Sequence, residues 1–211
     1  EAHPEWLAGD FAVLLEPTDG EVEGGCQGTL RVLLTTKGER AHSARGWMGS
    51  NAIHAAAPIL ARLASYEPRY PVIDGLEYRE GLNAVFINGG VAGNVLPDRC
   101  TVSVNYRFAP DRSEAEAELH MREVFAGFDV EVSDSAASAM PGLSVPAAAA
   151  FIDAVGGVAN PKFGWTDVAR FSALGIPAVN FGPGDPHLAH KQEEFVPMEH
   201  IRRVEEQLRG W

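Results

Sequence analysis

Two residues at the ends of apolar segments have the side chains and the positions of metal ligands. Glu16 directly follows the end of the apolar segment 11–15, whose continuous pattern is typical of a strand buried on both faces. His190 lies in a loop rich in glycine and proline that follows a second apolar segment, residues 177–181. Because α/β proteins place their chemistry at the carboxyl ends of strands, and because zinc binds both carboxylate and imidazole, these side chains predict a metal site.

The residue types alone leave a second interpretation open. A zinc site needs three or four ligands, and the nearest other acids, Glu193 and Glu194, stand beside His190 in the chain. His187 is a further imidazole in the same loop. Without more ligands, Glu16 and the two histidines are also consistent with solvated loop side chains.

Composition limits the classes of partner. The 17 lysines and arginines stand against 29 acidic residues, so the formal charge is -12 and a phosphate backbone would be repelled. No run of the sequence reaches the roughly 18 to 20 apolar residues of a membrane span. Cys26 and Cys100 show neither a zinc-ribbon spacing nor a disulfide framework. We therefore predict a cytoplasmic protein that binds neither nucleic acid nor membranes.

The middle of the chain has the pattern of a single α+β unit. Apolar periodicity predicts, in order, a strand at 29–37, a helix at 51–65, strands at 82–88 and 100–108, a helix at 113–125 and a strand at 129–133. Ser113 and Glu116 form a capping-box pattern at the start of the second helix. The order βαββαβ is that of the ferredoxin-like arrangement, in which two helices cover one face of a four-stranded sheet.

The segments on either side of this unit have the pattern of an α/β domain. We predict that residues 1–28 and 137–211 form this domain and that residues 29–136 are inserted into it. Its two apolar strands, residues 11–15 and 177–181, would by themselves leave apolar edges exposed on both sides. The chain also starts at a glutamate rather than a methionine, so we expect that an upstream segment with further strands is missing.

Five segments, taken in order and spacing, resemble the M20 family of metallopeptidases. They are Leu15-Glu16-Pro17-Thr18, residues 38–45, residues 89–98, Tyr106-Arg107 and the loop around His190. The resemblance covers nearly the whole chain and is strongest to the succinyl-diaminopimelate desuccinylases. It implies an α/β zinc-peptidase catalytic domain with two zinc ions per full-length subunit, interrupted by a ferredoxin-like lid that also forms a homodimer.

The resemblance also implies roles for single residues. Glu16 is similar to the carboxylate that binds one zinc, and His190 to the C-terminal histidine that binds the other. His187 is then a neighbour that binds no metal. His42 resembles a lid histidine that reaches across the dimer and donates a hydrogen bond to the oxyanion that develops in the reaction.

Three further residues are implied in substrate binding. Asn94 and Arg107 resemble the lid pair that binds the carboxylates of a small N-acyl amino acid, the arginine through a bidentate fork. Thr166 lies in a turn that resembles the substrate-facing loop of the family. Trp165 departs from the pattern, because a small residue is expected at its position.

The largest departure from the family lies upstream of Glu16. The remaining metal ligands and the general base have no counterpart in the chain, so we expect the chain alone to be inactive. For the full-length parent, the resemblance implies hydrolysis of N-succinyl-LL-diaminopimelate to succinate and LL-diaminopimelate in lysine and cell-wall synthesis. The alternatives are another M20 deacylase (acetylornithine deacetylase, aminoacylase or carboxypeptidase) and a non-catalytic dimerisation or amino-acid-binding module.

Overall fold

A computed structural model describes residues 9–211, which form two four-stranded sheets, a hairpin and the helices around them. In chain order the elements are β1 (Ala12–Leu14), β2 (Val22–Gly24), β3 (Gly28–Lys37), α1 (Ala52–Ala55), α2 (Ala57–Ala64), β4 (Val72–Ile73), β5 (Leu76–Glu77), β6 (Gly81–Gly89), β7 (Arg99–Phe108), α3 (Glu114–Val124), β8 (Val130–Ala136), α4 (Pro146–Val155), β9 (Ala159–Pro161), α5 (Val168–Ala173), β10 (Ala178–Asn180) and α6 (Met198–Gly210). Short 3-10 helices lie at Ser43–Met48 and Pro186–Leu188. Residues 1–8 of the predicted segment 1–28 lie outside the described part. None of the described helices is long and apolar enough to cross a membrane.

The sheet of the predicted lid, called the lid sheet below, contains the strands β6, β7, β3 and β8 in that spatial order, and all neighbours are antiparallel. β3 and β7 pair over their whole length, from Gly28 opposite Phe108 to Lys37 opposite Arg99. The strands and helices predicted for residues 29–133 are present in the predicted order. Between α2 and β6 the chain adds the short β4-β5 hairpin, which the sequence did not predict.

One face of the lid sheet is apolar because side chains alternate along each strand. On β3, Leu30, Val32 and Leu34 are buried, and each such side chain contributes about 1.5–3 kcal/mol. The helices complete this core with Ala52, Ala56, Ile59, Ala117, Met121 and Phe125. The opposite face carries Thr29 and Arg31 and stays polar and partly exposed. All of the lid helices therefore pack against a single side of the sheet.

The first lid helix is broken, which corrects the continuous helix predicted for residues 51–65. Asn51 caps α1, since its Oδ1 accepts hydrogen bonds from the backbone N–H groups of Ile53 and His54. α1 ends at Ala55 with Ala56 as its C-cap, and α2 starts directly afterwards with Pro58 in its first turn. Proline has no N–H and clashes with the carbonyl four residues earlier, which ends the first helix. The predicted capping box of α3, between Ser113 and Glu116, is confirmed.

The outer sheet has four strands, two more than the apolar strands identified in the sequence. Its spatial order is β1, β10, β2 and β9, so β10 is an interior strand flanked on both sides. β1 is parallel to β10, β2 is antiparallel to β10, and β9 is parallel to β2. β2 and β9 have three residues each, too few to produce a recognisable apolar period. Within the described residues β1 is one of the two edge strands of this sheet.

A carboxylate without solvent exposure ties the lid core to its connecting loops. Glu80 accepts hydrogen bonds from Arg69 Nη2 at 2.7 Å, from the Tyr106 hydroxyl at 2.9 Å and from the Ala109 backbone N–H at 3.1 Å. Burial by itself raises the pKa of Glu80, but these hydrogen bonds outweigh it and hold the pKa below its ordinary value of 4.5. The charged form of Glu80 therefore stabilises the fold.

Replacing Glu80 by glutamine should lower the free energy of unfolding by about 3 kcal/mol at pH 7, because Arg69 loses its buried partner. A depressed folded-state pKa means that this stabilisation is present above pH 4.5 and is lost as the pH falls. Urea unfolding should thus show a smaller difference between the two proteins in acid than at pH 7. Glu77→Gln, which alters an exposed ion pair with Arg79, is the matched control. A difference that does not change with pH would contradict the assignment.

Candidate functional site

The carboxyl ends of β1 and β10 lie side by side at one end of the outer sheet, where Glu16 and the loop that contains His190 both begin. The strands are parallel, with Leu14 opposite Asn180. Glu16 therefore leaves the sheet beside Gly182, the first residue of the loop that leads to His190. The approach is close, because a side chain at Gly182 would place its Cβ only 2.4 Å from the carbonyl oxygen of Glu16. Glycine is required here by that contact.

The turn after Glu16 is fixed by buried hydrogen bonds that the sequence analysis did not identify. The buried Thr18 hydroxyl accepts from the Gly182 backbone N–H at 3.0 Å. The Asp19 backbone N–H donates to the Gly184 carbonyl at 2.7 Å, and the Arg203 guanidinium of α6 donates to the Asp19 carbonyl at 2.6 Å. The two loops and the last helix thus form one hydrogen-bonded unit around Glu16.

The two candidate histidines of the second loop are both exposed. His190 has a positive φ of 65°, and its backbone N–H donates to Glu194 Oε2 at 3.3 Å. His187 lies in the 3-10 helix that Asp185 caps, since Asp185 Oδ1 accepts from the His187 backbone N–H at 2.8 Å. A non-glycine residue with positive φ is uncommon and marks His190, rather than His187, as the residue that the loop holds in an unusual position.

Glu16 and His190 offer a carboxylate and an imidazole, which are donors that suit zinc. Within residues 9–211, however, no group of three or more histidine, cysteine, aspartate or glutamate side chains could hold a metal ion. A zinc site with fewer than three protein ligands is incomplete. The described residues therefore fit only part of a metal centre.

An ion pair that is largely buried lies near this end of the outer sheet, and the sequence pattern did not predict it. Lys162 Nζ is 2.5 Å from Glu23 Oε2, with 11% and 15% of the two side chains exposed. Burial raises the pKa of Glu23, Lys162 opposes that change, and the charge of Glu16 adds to the increase. Glu16 is thus close enough to Glu23 to influence its charge. The pair forms across β2 and β9, the two strands that were too short to predict.

The junction between the two sheets carries two of the predicted substrate-binding residues. Cys26 Sγ lies 3.8 Å from the Thr166 carbonyl, just before β3 begins, and Trp165 Nε1 donates to the Ala137 carbonyl at 3.1 Å, just after β8 ends. The Trp165 indole therefore links the loop that was predicted to face the substrate with the segment that follows β8. Thr166 is buried, and its Oγ1 has no hydrogen-bond partner among the described residues.

Arg107 lies at the same end of the lid. It pairs with Thr29 near the start of β3, about 10 Å along an extended chain from Cys26. Its Nη1 is buried and has no hydrogen-bond partner among the described residues. Unpaired polar atoms that are buried are rare, because each lacks the hydrogen bond that it would make in water. Thr166 and Arg107 therefore both have unused capacity to bind a polar ligand.

His42 and Asn94 lie together at the other end of the lid. The Ser43 backbone N–H donates to the Asn94 carbonyl at 2.8 Å, and His42 forms a β-bridge with Val95. Both side chains are exposed. His42 Nδ1 accepts from the Ala44 backbone N–H at 3.1 Å, so in the neutral imidazole the proton stands on Nε2. That N–H is free to donate to a group outside the lid.

The structure separates the predicted pair Asn94 and Arg107 within one chain. Arg99 and Arg107 mark the two ends of β7, and eight residues of strand span about 26 Å. Asn94 and His42 lie beyond the Arg99 end, whereas Arg107 and Thr166 lie at the junction with the outer sheet. The four lid and loop residues therefore form two clusters, one at each end of the lid sheet.

Comparison with known proteins identifies a dimerisation domain in the first part of the chain. Residues 25–131 match the M20 peptidase dimerisation domain. Over 99% of its length the chain is 58% identical to a putative succinyl-diaminopimelate desuccinylase of Mycobacterium tuberculosis, and over 97% it is 51% identical to the succinyl-diaminopimelate desuccinylase of Corynebacterium glutamicum. It spans only 59% and 57% of those two proteins, so it corresponds to about three fifths of their length.

A solved structure shows the same fold for nearly the whole chain. The M20 family metallo-carboxypeptidase of Sulfolobus solfataricus superimposes with a TM-score of 0.74 at 15% sequence identity, and the match covers 99% of this chain and 64% of that one. At this identity the likeness concerns the fold, while the dimerisation-domain match and the two desuccinylases concern the family. The chain belongs to the M20 peptidase family and contains that family's dimerisation domain.

Proposed function

We propose that this chain is the C-terminal part of a zinc-dependent enzyme that hydrolyses N-succinyl-LL-diaminopimelate to succinate and LL-diaminopimelate. The observation that carries the proposal is the 58% identity to a protein named as a putative desuccinylase, which extends over 99% of the chain. Residues 1–28 and 137–211 would belong to the catalytic domain, and residues 29–136 would form the ferredoxin-like lid. The cytoplasmic location stays a prediction.

In this proposal Glu16 and His190 each bind one of two zinc ions, and the remaining ligands come from upstream of this chain. Zinc, when bound, activates water and polarises the amide carbonyl. The hydrogen bonds between Thr18 and Gly182 hold the turn after Glu16 in place, so Glu16 stays at the carboxyl end of β1. Because no group of three or more ligand side chains lies together among the described residues, the chain alone should bind no stable zinc pair and should be inactive.

The lid residues would act in two groups. Arg107 and Thr166 lie at the junction of their own subunit and would bind the substrate there. His42 and Asn94 lie at the far end of the lid, so in a homodimer they would serve the site of the partner subunit. The free Nε2–H of His42 would then donate to the oxyanion as the carbonyl carbon becomes tetrahedral.

A direct assay decides among the remaining candidates. The full-length zinc-loaded protein should release succinate from N-succinyl-LL-diaminopimelate faster than acetate from N-acetylornithine, and the 211-residue chain should release neither. Faster acetate release would instead indicate an M20 deacylase of another specificity. If the full-length protein hydrolyses neither compound, nor any N-acyl amino acid or dipeptide, the non-catalytic module becomes the better description.

The homodimer would form through the exposed edge of the lid. β6 is an edge strand, and its apolar residues Val85, Phe86 and Ile87 are 46%, 76% and 52% exposed. Leu60 of α2, which is 41% exposed, lies on a helix that packs against β6, and Ile53 of α1, also 41% exposed, lies on a helix that packs against β3 and β7. A long apolar edge pairs readily with a second strand, and two copies of β6 would bury both edges.

Replacing Ile87 by lysine should therefore convert the dimer into a monomer, because two added charges would be buried at a symmetric interface. Light scattering after size-exclusion chromatography should show the mass falling by half. Leu174→Lys is the matched control, since Leu174 is 50% exposed but lies at the end of α5 in the outer part of the molecule. A dimer that survives Ile87→Lys would place the interface elsewhere.

A further inference from the structure

The open face of the lid sheet, opposite the helices, holds two arginines close together. Residues paired directly across strands point to the same face, and Thr29 pairs with Arg107 while Arg31 pairs with Asn105. Arg31 and Arg107 are therefore diagonal neighbours on the face that Leu30 and Val32 do not share. Diagonal positions on neighbouring strands are within reach of two long side chains.

Arg107 is a cation without a counterion. No carboxylate among the described residues forms an ion pair with it, and its Nη1 is buried without a hydrogen-bond partner. Burial lowers the pKa of Arg107, the charge of Arg31 lowers it further, and Asp134 opposes both. A guanidinium remains charged at neutral pH even so. This end of the sheet is therefore arranged for an anion that the chain itself does not provide.

Arg31 forms only a weak ion pair within the chain. Its Nη1 lies 3.7 Å from Asp134 Oδ2, and the two side chains are 46% and 53% exposed. Exposed ion pairs at this separation contribute little and are readily exchanged. Glu131, which pairs with Leu33 on the same face, is exposed and forms no ion pair with the described residues. Neither acid approaches Arg107 closely enough to neutralise it.

The pair lies near the end of the lid sheet that is closest to the junction, where the proposed reaction would occur. Thr29, the partner of Arg107 across the sheet, is three residues beyond Cys26, whose Sγ contacts the Thr166 carbonyl. Opposite Arg107 on its other side stands Gly81, which has no side chain to cover the guanidinium. A small anion can thus approach Arg107 from the open face.

We propose that Arg31 is a second carboxylate-binding residue, which joins Arg107 in holding a carboxylate of the substrate and is held by Asp134 when the site is empty. This inference rests on the proposed function and adds a determinant of substrate specificity to it. Two guanidinium groups suit a carboxylate because each can donate two parallel hydrogen bonds to it. The carboxylate belongs either to the acyl group or to the amino acid, and the two sources are distinguished by substrate choice.

The test is a set of kinetic measurements on the full-length zinc-loaded protein with three variants. Arg31→Gln should raise KM by about 10- to 100-fold with kcat little changed, because a charge-assisted hydrogen bond made equally in ground and transition states is lost. Asp134→Asn should lower KM by about twofold or more, since it removes the competing carboxylate. Arg122→Gln, which alters an exposed ion pair with Glu118 on α3, should change neither constant.

Two substrates locate the carboxylate. If Arg31→Gln raises KM for the N-succinyl compound but not for its N-acetyl analogue, the bound carboxylate is that of the acyl group. An equal rise for both places it on the amino acid, and both results support the site. An Arg31→Gln protein that matches the Arg122→Gln control on both substrates would overturn the inference.

A binding measurement separates failure of the inference from failure of the proposed function. The product that carries the bound carboxylate, succinate or LL-diaminopimelate, should bind the unaltered full-length protein in calorimetry and should bind Arg31→Gln at least about 10-fold more weakly, whether or not the amide is hydrolysed. Weakened binding in a protein without desuccinylase activity would retain the site and refute the function. Equal affinities of the two proteins for both succinate and LL-diaminopimelate, or no affinity of either protein for either compound, would refute the site.

Discussion

Replacing Glu16 by glutamine in the full-length protein should remove one zinc ion and lower amide hydrolysis by at least about 100-fold, while thermal unfolding of the lid stays the same. The carboxylate leaves the outer sheet at the carboxyl end of β1, beside the loop that carries His190, and the Thr18–Gly182 hydrogen bonds hold it there. Glutamine keeps the shape of the side chain and removes the charge that binds the cation. His190→Ala should have the same effect on activity and remove the other zinc.

Matched variants show whether the effect is specific. Glu21→Gln changes an acid in the same segment that already contacts Asn160, and it should keep both zinc ions and most of the activity. His187→Ala is the corresponding control in the second loop. Its zinc content decides whether His187 or His190 is the ligand. Zinc content measured by elemental analysis gives the direct answer. Two zinc ions retained in both Glu16→Gln and His190→Ala would contradict the ligand assignment, whatever happens to the rate.

His42→Ala should lower kcat of the full-length dimer by about 100- to 1000-fold and leave KM and dimerisation nearly unchanged. Its imidazole is exposed, and its Nε2–H is free because Nδ1 accepts from the Ala44 backbone. A donor that acts only on the developing oxyanion stabilises the transition state more than the bound substrate, which places the effect on kcat. Steady-state kinetics with the N-succinyl substrate measures it.

Mixed dimers decide in which subunit His42 acts. In a dimer of His42→Ala with Glu16→Gln, action across the interface leaves one site with both an intact Glu16 and a histidine from its partner. Random mixing should then restore about a quarter of the unaltered activity, since half of the dimers are mixed and each has one complete site. If His42 serves its own subunit, no site is complete and activity stays at the level of the separate variants. The position of His42 at the lid end away from Thr166 favours the first result.

The lid was predictable because its elements are long and regular. On β3, buried residues alternate with more exposed ones over the whole strand, and β7 does the same except at the buried Ser103, so their period is visible in the sequence. α3 begins with a capping box whose two residue types are diagnostic by themselves. The break at Ala56 was not foreseen, although Pro58 marks it, because the apolar spacing continues through both helices.

The outer sheet was predicted less well because two of its strands leave little trace in the sequence. β2 and β9 are short, contain glycine or proline, and become strands only through pairing with each other and with β10. The ion pair of Glu23 with Lys162 depends on that pairing, so it was not identified. In the same way, nothing in the local sequence shows that the Thr18 hydroxyl bonds to Gly182, far along the chain.

The sequence by itself determined which residues are available for chemistry, the family resemblance, and the order of elements in the lid, because these depend on residue type and on spacing along the chain. The tertiary structure alone decided which of them lie together. In the tertiary structure Glu16 lies beside the loop that begins at Gly182, and Arg107 lies at the end of the lid sheet nearest to the Thr166 junction. His42 and Asn94 lie at the opposite end of the lid sheet. These relations follow from strand pairing between distant segments, and such pairing is set by the burial of the whole core rather than by any local pattern.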